Sequence, residues 1–384
     1  MMFHTLFAYG FRPFFLLTPL AAWGAVLPLP LLWLSLTDGG GGIGAWHAHE
    51  QIFGTMTAAL AGFLLTALPS WTGTAPVTGR PLAALAGLWL LGRLAFWLDG
   101  VLPPGLVAVL DLAFLPALLA AALPKGRPWE FPAALLALTL CNLGFHLGRL
   151  GVLDIAPERA VTAAFDLFLV LIAVALGRIL PVTLRSALME SGRAPMVRLA
   201  PGRRHLATAT LMLFTVADTL APTSPVTGWV ALAAACATLD RMGESHLAGV
   251  LGRPQVGLFY LGQAMIAAGL AAMGMALLGA GIEGVSARHA AALGGAAITA
   301  LTVQSVVALR HSGRPFPLPR ATWIAPALVV AATGLRVLVP HLAPEAMAVW
   351  GITLPAVLWC AAFLVWLAVF GPWLLAARAD GQPG

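Results

Sequence analysis

Charged side chains are scarce in this sequence. Asp, Glu, Lys and Arg together make up 9% of the 384 residues, whereas hydrophobic residues make up 60%. Because soluble globular domains carry about 25% charged residues, this composition excludes an ordinary water-soluble fold. No polar stretch is long enough to form a soluble domain, so we expect residues 1–384 to form a single integral membrane domain.

Cysteine is also rare. The three cysteines, Cys141, Cys236 and Cys360, are isolated from one another, and the sequence contains neither a CxxCH nor a CxxC pattern. This excludes a covalently attached c-type haem and a vicinal redox dithiol. We expect the three thiols to act as small buried hydrophobic groups.

Long apolar runs, in contrast, fill the chain. A membrane-spanning helix needs about 20 mostly apolar residues, and the first run is too long for a typical secretory signal, so we expect it to remain as a span. The sequence therefore predicts an all-α, polytopic bundle of about twelve transmembrane helices, at residues 13–37, 50–70, 80–99, 105–123, 131–152, 161–184, 205–221, 226–250, 255–281, 287–310, 321–340 and 345–377.

The basic residues predict the orientation of this bundle. With the N-terminus in the cytoplasm, fourteen of the 21 Lys and Arg residues fall on the cytoplasmic side, four on the opposite side and three within spans. Cytoplasmic loops carry the excess of basic residues, so both termini are predicted to be cytoplasmic. The net charge of +6 follows from this topology, and we expect no nucleic-acid partner.

Nine histidines interrupt the apolar segments. Ionisable residues inside a membrane are costly and point to functional sites, and histidine is a common ligand of metals and of haem iron. The topology predicts an outer group made of His47, His49, His146 and His289, with the solvated His341 nearby. It predicts a second, inner candidate site made of His4, His246 and His311, with His205 solvated in a loop.

The spacing of these histidines limits how they combine. His47 and His49 are about 200° apart around a helix, so they cannot both face one centre. His49 shares its helix face with Phe53 and Met56, a wall suited to a porphyrin. His289 and His311 are ~33 Å apart at 1.5 Å per residue, so two sites are needed if both bind. Capping residues at the interface are the alternative interpretation for the outer histidines.

Other side chains near the outer group have two interpretations each. Arg93 and Arg149 suit haem propionates, because a guanidinium binds a carboxylate through two hydrogen bonds; the alternative is an ion pair with Asp111 or Asp166. The small residues that follow His289 leave room for a flat group, although ordinary helix packing explains them equally. Met273 and Met275 offer thioethers to copper or fill gaps in the packing.

Several motifs, in order, resemble the NnrS family of haem- and copper-containing membrane proteins, which is linked to the nitric oxide response of bacteria. The matching stretches are Tyr9-Gly10-Phe11-Arg12-Pro13-Phe14-Phe15, Trp46-His47-Ala48-His49-Glu50, Gly62-Phe63-Leu64-Leu65-Thr66-Ala67, Trp71-Thr72-Gly73, Leu90-Leu91-Gly92-Arg93, Gly177-Arg178-Ile179-Leu180-Pro181 and His311-Ser312-Gly313-Arg314-Pro315. The sequence departs from the family at Ser305-Val306, where a Thr-Arg pair is usual, and at Tyr260 and Gln263, where a His and a Tyr are usual.

The resemblance implies haem b, with copper as a further expectation, in the bacterial inner membrane. The helix count and termini are also similar to haem–copper oxidase catalytic subunits, in which helices 2 and 10 hold a low-spin haem, although the oxidase's copper ligands are absent here. By this analogy, which does not itself establish function, His49 and His289 are the expected axial ligands. His47 and His146 are second-site or alternative ligands.

The functional hypothesis is therefore relief of nitrosative stress. The protein would bind or turn over nitric oxide, or another small diatomic ligand, or protect metal centres from it, with a membrane electron donor as a further partner beside the lipid bilayer. The sequence does not decide between binding and catalysis. Two alternatives stay open: a secondary transporter, and an accessory protein that delivers haem or copper to a respiratory enzyme.

Overall fold

The computed structural model describes residues 2–30, 41–123, 128–194, 197, 200–243 and 249–382. A helix occupies each of the twelve predicted segments. In chain order the first eight helices are α1 (Met2–Leu6), α2 (Phe11–Gly24), α3 (Gly41–His49), α4 (Thr57–Thr72), α5 (Gly79–Trp97), α6 (Pro104–Leu112), α7 (Phe114–Ala122) and α8 (Glu130–Arg149). The remaining eight are α9 (Pro157–Glu190), α10 (Pro201–Leu220), α11 (Pro225–Met242), α12 (Pro254–Leu277), α13 (Gly284–His289), α14 (Ile298–His311), α15 (Ile324–Leu342) and α16 (Leu354–Leu375).

Proline sets the start of several of these helices. A proline is the first residue of α6, α9, α10, α11 and α12. The ring fixes φ near the helical value, and the missing N–H is one that the first turn leaves unpaired in any case. At the other end of α4, Gly73 adopts a φ of 69° and terminates the helix, a conformation that glycine reaches without a Cβ clash.

Nine helical stretches among the described residues are long and apolar enough to cross a membrane: Phe11–Pro30, Ile43–Thr72, Pro104–Ala122, Glu130–Arg149, Pro157–Glu190, Pro254–Leu277, Gly284–His311, Arg320–Leu342 and Pro344–Leu375. The chain is thus an all-helical membrane protein. The predicted spans 80–99, 205–221 and 226–250 are present as α5, α10 and α11 but do not belong to these nine.

Two of the long helices change their winding immediately after a histidine. Residues Glu50–Met56 form a π-helical stretch directly after His49, and Ala290–Ala297 form another directly after His289. A π-helical turn inserts an extra residue per turn and rotates the following side chains, and such turns are frequent at functional sites. Because Glu50–Met56 is π-helical, Phe53 and Met56 do not share the face of His49 in the way that an α-helix predicts.

Two sequence motifs meet where α2 packs against α4. The backbone N–H of Phe11 donates to Thr66 Oγ1 at 2.9 Å. A Cβ at Gly62 would lie 2.5–2.6 Å from ring carbons of Phe15 and 3.1 Å from Phe14 Cβ. Glycine at this position permits the close approach of the two helices, as is usual for helix contacts in membranes.

Arg12 joins the beginning of the bundle to its end. Its side chain is fully buried, and Nη1 donates to Leu374 O and Ala376 O, both at 2.7 Å, at the C-terminal end of α16. These are carbonyls that the last turn of a helix leaves unpaired. We call this side of the bundle the Arg12 end. The opposite side, where the rings of Trp46 and Trp97 meet at 5.4 Å, is called the Trp97 end.

All three cysteines have free thiols. Cys141 and Cys360 are partly buried, but Cys236 is exposed. The prediction that all three are buried is therefore wrong for Cys236, because this residue lies on the outer surface of α11, where a small apolar side chain is equally stable against lipid.

Candidate metal centre

His49, Asp111 and His146 form a buried group at the Trp97 end. They come from α3, α6 and α8, and one ligand atom of each lies within 4.8 Å of the other two. Nε2 of His49 is 3.2 Å and Nε2 of His146 is 2.7 Å from Asp111 Oδ2. In the described part of the chain, these three form the group of His, Cys, Asp or Glu side chains that could hold a metal ion.

Asn142 orients this group. It lies one helical turn before His146, so both side chains project from the same face of α8. Its Oδ1 is 3.1 Å from His49 Nε2, and its Nδ2 donates to Asp111 Oδ2 at 3.0 Å. The Nδ2 hydrogen bond orients the Asp111 carboxylate, as hydrogen-bond partners of metal-binding carboxylates do.

Charges around the group leave an excess of negative charge. Arg93 of α5 forms ion pairs with both Glu50 and Asp111, and Trp97 Nε1 donates to Glu50 Oε2 at 3.1 Å. Both carboxylates are buried, so two negative charges face one guanidinium. Buried charge is costly unless compensated, and a bound cation would supply the missing positive charge.

Aromatic rings enclose the His49 imidazole. Its ring centroid lies 4.0 Å from that of Phe96, 4.3 Å from that of Phe145 and 4.9 Å from that of Phe53. The Nε2 edge faces Asp111 and Asn142. The phenyl rings occupy the space beside the imidazole, so this arrangement suits a compact metal ion rather than a porphyrin.

A second group at the Trp97 end contains the other two predicted outer histidines. His47 Nδ1 donates to Ala25 O at 2.8 Å, and His289 Nδ1 donates to Val285 O, also at 2.8 Å. The two histidines are electrostatic neighbours, and Arg336 lies near both.

The predicted partnership of His49 with His289 is not the one that the fold assembles. His49 lies with Asp111 and His146, whereas His289 lies with His47. The reason is the predicted 200° between His47 and His49, which directs the two side chains to opposite sides of α3.

Both arginines predicted to bind propionates are in ion pairs. Arg93 pairs with Asp111, as the alternative interpretation has it, and with Glu50 as well. Arg149 pairs with Asp99, in the loop after α5, and its guanidinium lies 5.6 Å from the Phe96 ring centroid. The expected alternative partner of Arg149, Asp166, instead lies 3.6 Å from Arg288, near the end of α13.

The histidines of the inner candidate site have different surroundings. His311 is at the Arg12 end, with its ring centroid 5.6 Å from that of Tyr9 and 6.0 Å from that of Phe11. His4 is exposed on α1, and His246 lies outside the described residues. His205 and His341 are exposed, as predicted.

The two methionines considered for copper differ in environment. Met273 is buried in α12, whereas Met275 is 41% exposed. Gly274 between them lies against α11, where an added Cβ would meet Gly228 O at 2.7 Å. The stretch therefore serves helix packing.

A sequence profile places the chain among known proteins. The profile of the family described as NnrS protein matches residues 5–378, nearly the whole length. The chain belongs to the NnrS family. No curated protein sequence matches the chain. Membership of the NnrS family fits a role in the response to nitric oxide. The family is known for metal binding, and the buried His49, Asp111 and His146 group could hold a metal ion.

Sequence patterns missed four residues at these two sites: Glu50, Asp111, Asn142 and Arg336. Asp111 was considered only as an arginine partner, although a lone carboxylate within an apolar segment is itself a signal. Asn142 lies four residues before His146, which is also visible in the sequence. The position of Arg336 beside His47 and His289 depends on tertiary packing alone.

Proposed function

We propose that this NnrS family protein binds a transition-metal ion through His49, Asp111 and His146 and interacts with nitric oxide at that ion. The observation that carries the proposal is the convergence of two imidazoles and a carboxylate from three helices within a buried, negatively charged cluster. Relief of nitrosative stress, by binding or consuming nitric oxide or by protecting other metal centres, is the corresponding cellular role.

The donor set narrows the choice of metal. Two imidazoles and one carboxylate suit copper and non-haem iron, and they leave coordination positions free. We propose copper, because the family resemblance implies it. Such an ion would supply an open position at which nitric oxide binds. His49 and His146 must release their Nε2 protons to bind it, while Asn142 and Arg93 hold Asp111 in place.

Haem b, the other group implied by the family, fits His47 and His289 better than His49. Nδ1 of both residues donates to a backbone carbonyl, so Nε2 of the neutral ring is free to bind iron, the usual arrangement of metal-binding histidines. Nη1 of Arg336 is buried without a hydrogen-bond partner, and a guanidinium suits a propionate. Bound haem would supply a second redox-active metal.

Metal analysis and spectroscopy of two variants test both assignments. His146→Ala should remove copper measured by mass spectrometry and leave the haem Soret band unchanged. His289→Ala should abolish or alter that band and leave the copper content unchanged. His341→Ala, at an exposed histidine, is the matched control. Nitric oxide added to the wild-type protein should change the optical and paramagnetic resonance spectra of a bound metal.

Two results would contradict the proposal. Wild-type protein that contains no transition metal and shows no spectral response to nitric oxide would exclude the proposed function. Equal metal content in wild type and His146→Ala would exclude the proposed ligand set.

We also propose that the helices in all twelve predicted segments cross the bacterial inner membrane as one unit, with both termini in the cytoplasm. Contacts of α5 support this arrangement, because Gly79 N donates to Phe7 O at 2.8 Å at the Arg12 end, and Trp97 contacts Trp46 at the opposite end.

Contacts of α10 and α11 support it as well. Asp218, near the end of α10, accepts a hydrogen bond from Arg288 at 2.6 Å beside His289. Arg203, near the start of α10, lies 3.5 Å from Asp240 near the end of α11. The two helices are therefore antiparallel neighbours that run the full depth of the bundle.

A further inference from the structure

A cavity lies between the first half of α4, the middle of α9, the first half of α14 and the start of α8. It is about 540 Å³ of space between atoms, part of it open to the surroundings. Its walls are almost entirely apolar, with Met56 and Phe63 on one side and Phe131 and Phe168 on another.

One polar side chain in this wall has no partner. Gln304 of α14 is 2% exposed, and neither its Nε2 nor its Oε1 has a hydrogen-bond partner. Buried amides are almost always hydrogen-bonded, and an unpaired one is costly. The other polar lining residue, Thr299, donates its hydroxyl to Gly295 O at 2.9 Å. The cavity therefore presents an unused donor and an unused acceptor on a single side chain.

The character of the walls restricts the occupant. Ordered water needs two to four polar partners, and one amide among apolar walls satisfies it poorly. None of the described residues that line the cavity carries an imidazole or a thiol, so haem iron would find no nitrogen or thiolate ligand here. A largely apolar, flat molecule with a carbonyl or hydroxyl group uses both the walls and the amide.

We propose that this cavity binds the head group of a lipid-soluble quinone. A quinone carbonyl accepts a hydrogen bond from Gln304 Nε2, and the hydroxyl of the reduced form donates to Gln304 Oε1, so one amide serves both redox states. The ring packs among Met56, Phe63 and Phe168. Met56 ends the π-helical stretch that follows His49, about two helical turns away, so the ligand lies beside the candidate metal centre. The proposal concerns binding only and does not depend on the metal.

Binding of the soluble analogue decylubiquinone to the full-length protein in lipid nanodiscs tests this proposal. Gln304→Leu keeps the size of the side chain and removes both polar groups, so affinity should fall roughly tenfold, the loss of about one hydrogen bond. Ala300→Phe fills the cavity and should abolish saturable binding. Gln263→Leu is the matched control, because Gln263 is a buried glutamine of α12 that does not line the cavity.

An azido-quinone should in addition crosslink to peptides from α4, α9 or α14, identified by mass spectrometry. Thermal unfolding and the metal content of each variant report whether it is folded, so loss of quinone binding is distinguished from loss of the metal site. Saturable binding that is equal in wild type, Gln304→Leu and Ala300→Phe would overturn the proposal. So would quinone uptake no greater than that of empty nanodiscs, or loss of the haem spectrum in Ala300→Phe, which would assign the cavity to the porphyrin.

Discussion

Single buried side chains decide the chemistry of the candidate metal centre, and Asn142 is the most informative of them. It contacts both His49 and Asp111 without belonging to the proposed ligand set. Asn142→Leu should keep the metal ligands but remove the hydrogen bond to the Asp111 carboxylate, so metal affinity should fall about 10–100-fold, the usual effect of removing a hydrogen-bond partner of a ligand. Competition with a metal chelator measures the affinity. An unchanged affinity would show that Asn142 has only a packing role.

Arg93 and Arg149 allow a matched comparison of buried and exposed ion pairs. Arg93→Met leaves Glu50 and Asp111 buried without their cation, so it should lower the free energy of unfolding by about 3–5 kcal/mol. Arg149→Met removes a pair whose side chains are 23% and 33% exposed, and should cost at most about 1 kcal/mol. Unfolding in mixed detergent measures both. An equal loss of unfolding free energy in the two variants would contradict the assignment of a buried ion pair to Arg93 and an exposed one to Arg149.

At the level of elements, glycine controls how closely α2 and α4 approach. Gly62→Ala places a methyl group against Phe15 and Phe14, so overpacking should destabilise the protein by about 1–3 kcal/mol. Gly87→Ala on α5 is the control, because nothing lies within 4 Å of its added Cβ and alanine favours the helix. Thermal unfolding of both variants checks the difference, and similar stability would refute the close contact.

The C-terminal segment docks on the end of α14 through hydrogen bonds to backbone carbonyls, and one of the donors, Arg378, forms an ion pair with Asp380 in the same segment. Arg378 Nη1 donates to His311 O at 3.2 Å, and hydrogen bonding to Arg378 lowers the pKa of Asp380 to about 2. Because this folded-state pKa lies below the usual value of 3.8, the contribution of the pair is complete above pH 3.8 and is lost as the pH falls through 2.

Docking of this segment should therefore be constant from pH 8 to about pH 4. Hydrogen exchange of the amide of Ala379, which donates to Ser312 O, measures it after correction for intrinsic exchange rates. Asp380→Asn should increase exchange at neutral pH. Release of the segment near pH 6 would show that another group controls docking.

At the scale of the whole molecule, the Arg12 contacts constrain the topology. Arg12 near the start of the first span contacts Leu374 O at the end of the last, so both lie on one membrane face. This contact supports the proposed arrangement, in which both termini share one membrane face and the number of crossings is even. A fluorescent protein at the C-terminus should be fluorescent, whereas alkaline phosphatase inserted after Gly151 should be active. Phosphatase activity at the C-terminus would contradict the predicted orientation.

The sequence by itself determined the class of the protein and its family. Scarce charge and repeated apolar runs require a helical membrane bundle, because the hydrocarbon leaves no water to satisfy an exposed backbone. The motifs led to the NnrS family, which the profile over residues 5–378 confirms. The sequence also determined that His47 and His49 point in different directions, because the angle between two residues around one helix is fixed.

Only the tertiary structure decided which side chains meet. The predicted topology places His49 and His146 at one end of the bundle, but it does not indicate that both contact Asp111 or that Arg336 lies beside His289. Contacts between helices depend on packing between segments far apart in sequence. The pairing of Arg149 with Asp99, rather than with Asp166, has the same origin. Winding changes after His49 and His289 alter the helical faces as well. Local periodicity fixes the direction of a side chain on its own helix, whereas its partner is fixed by the neighbouring helices.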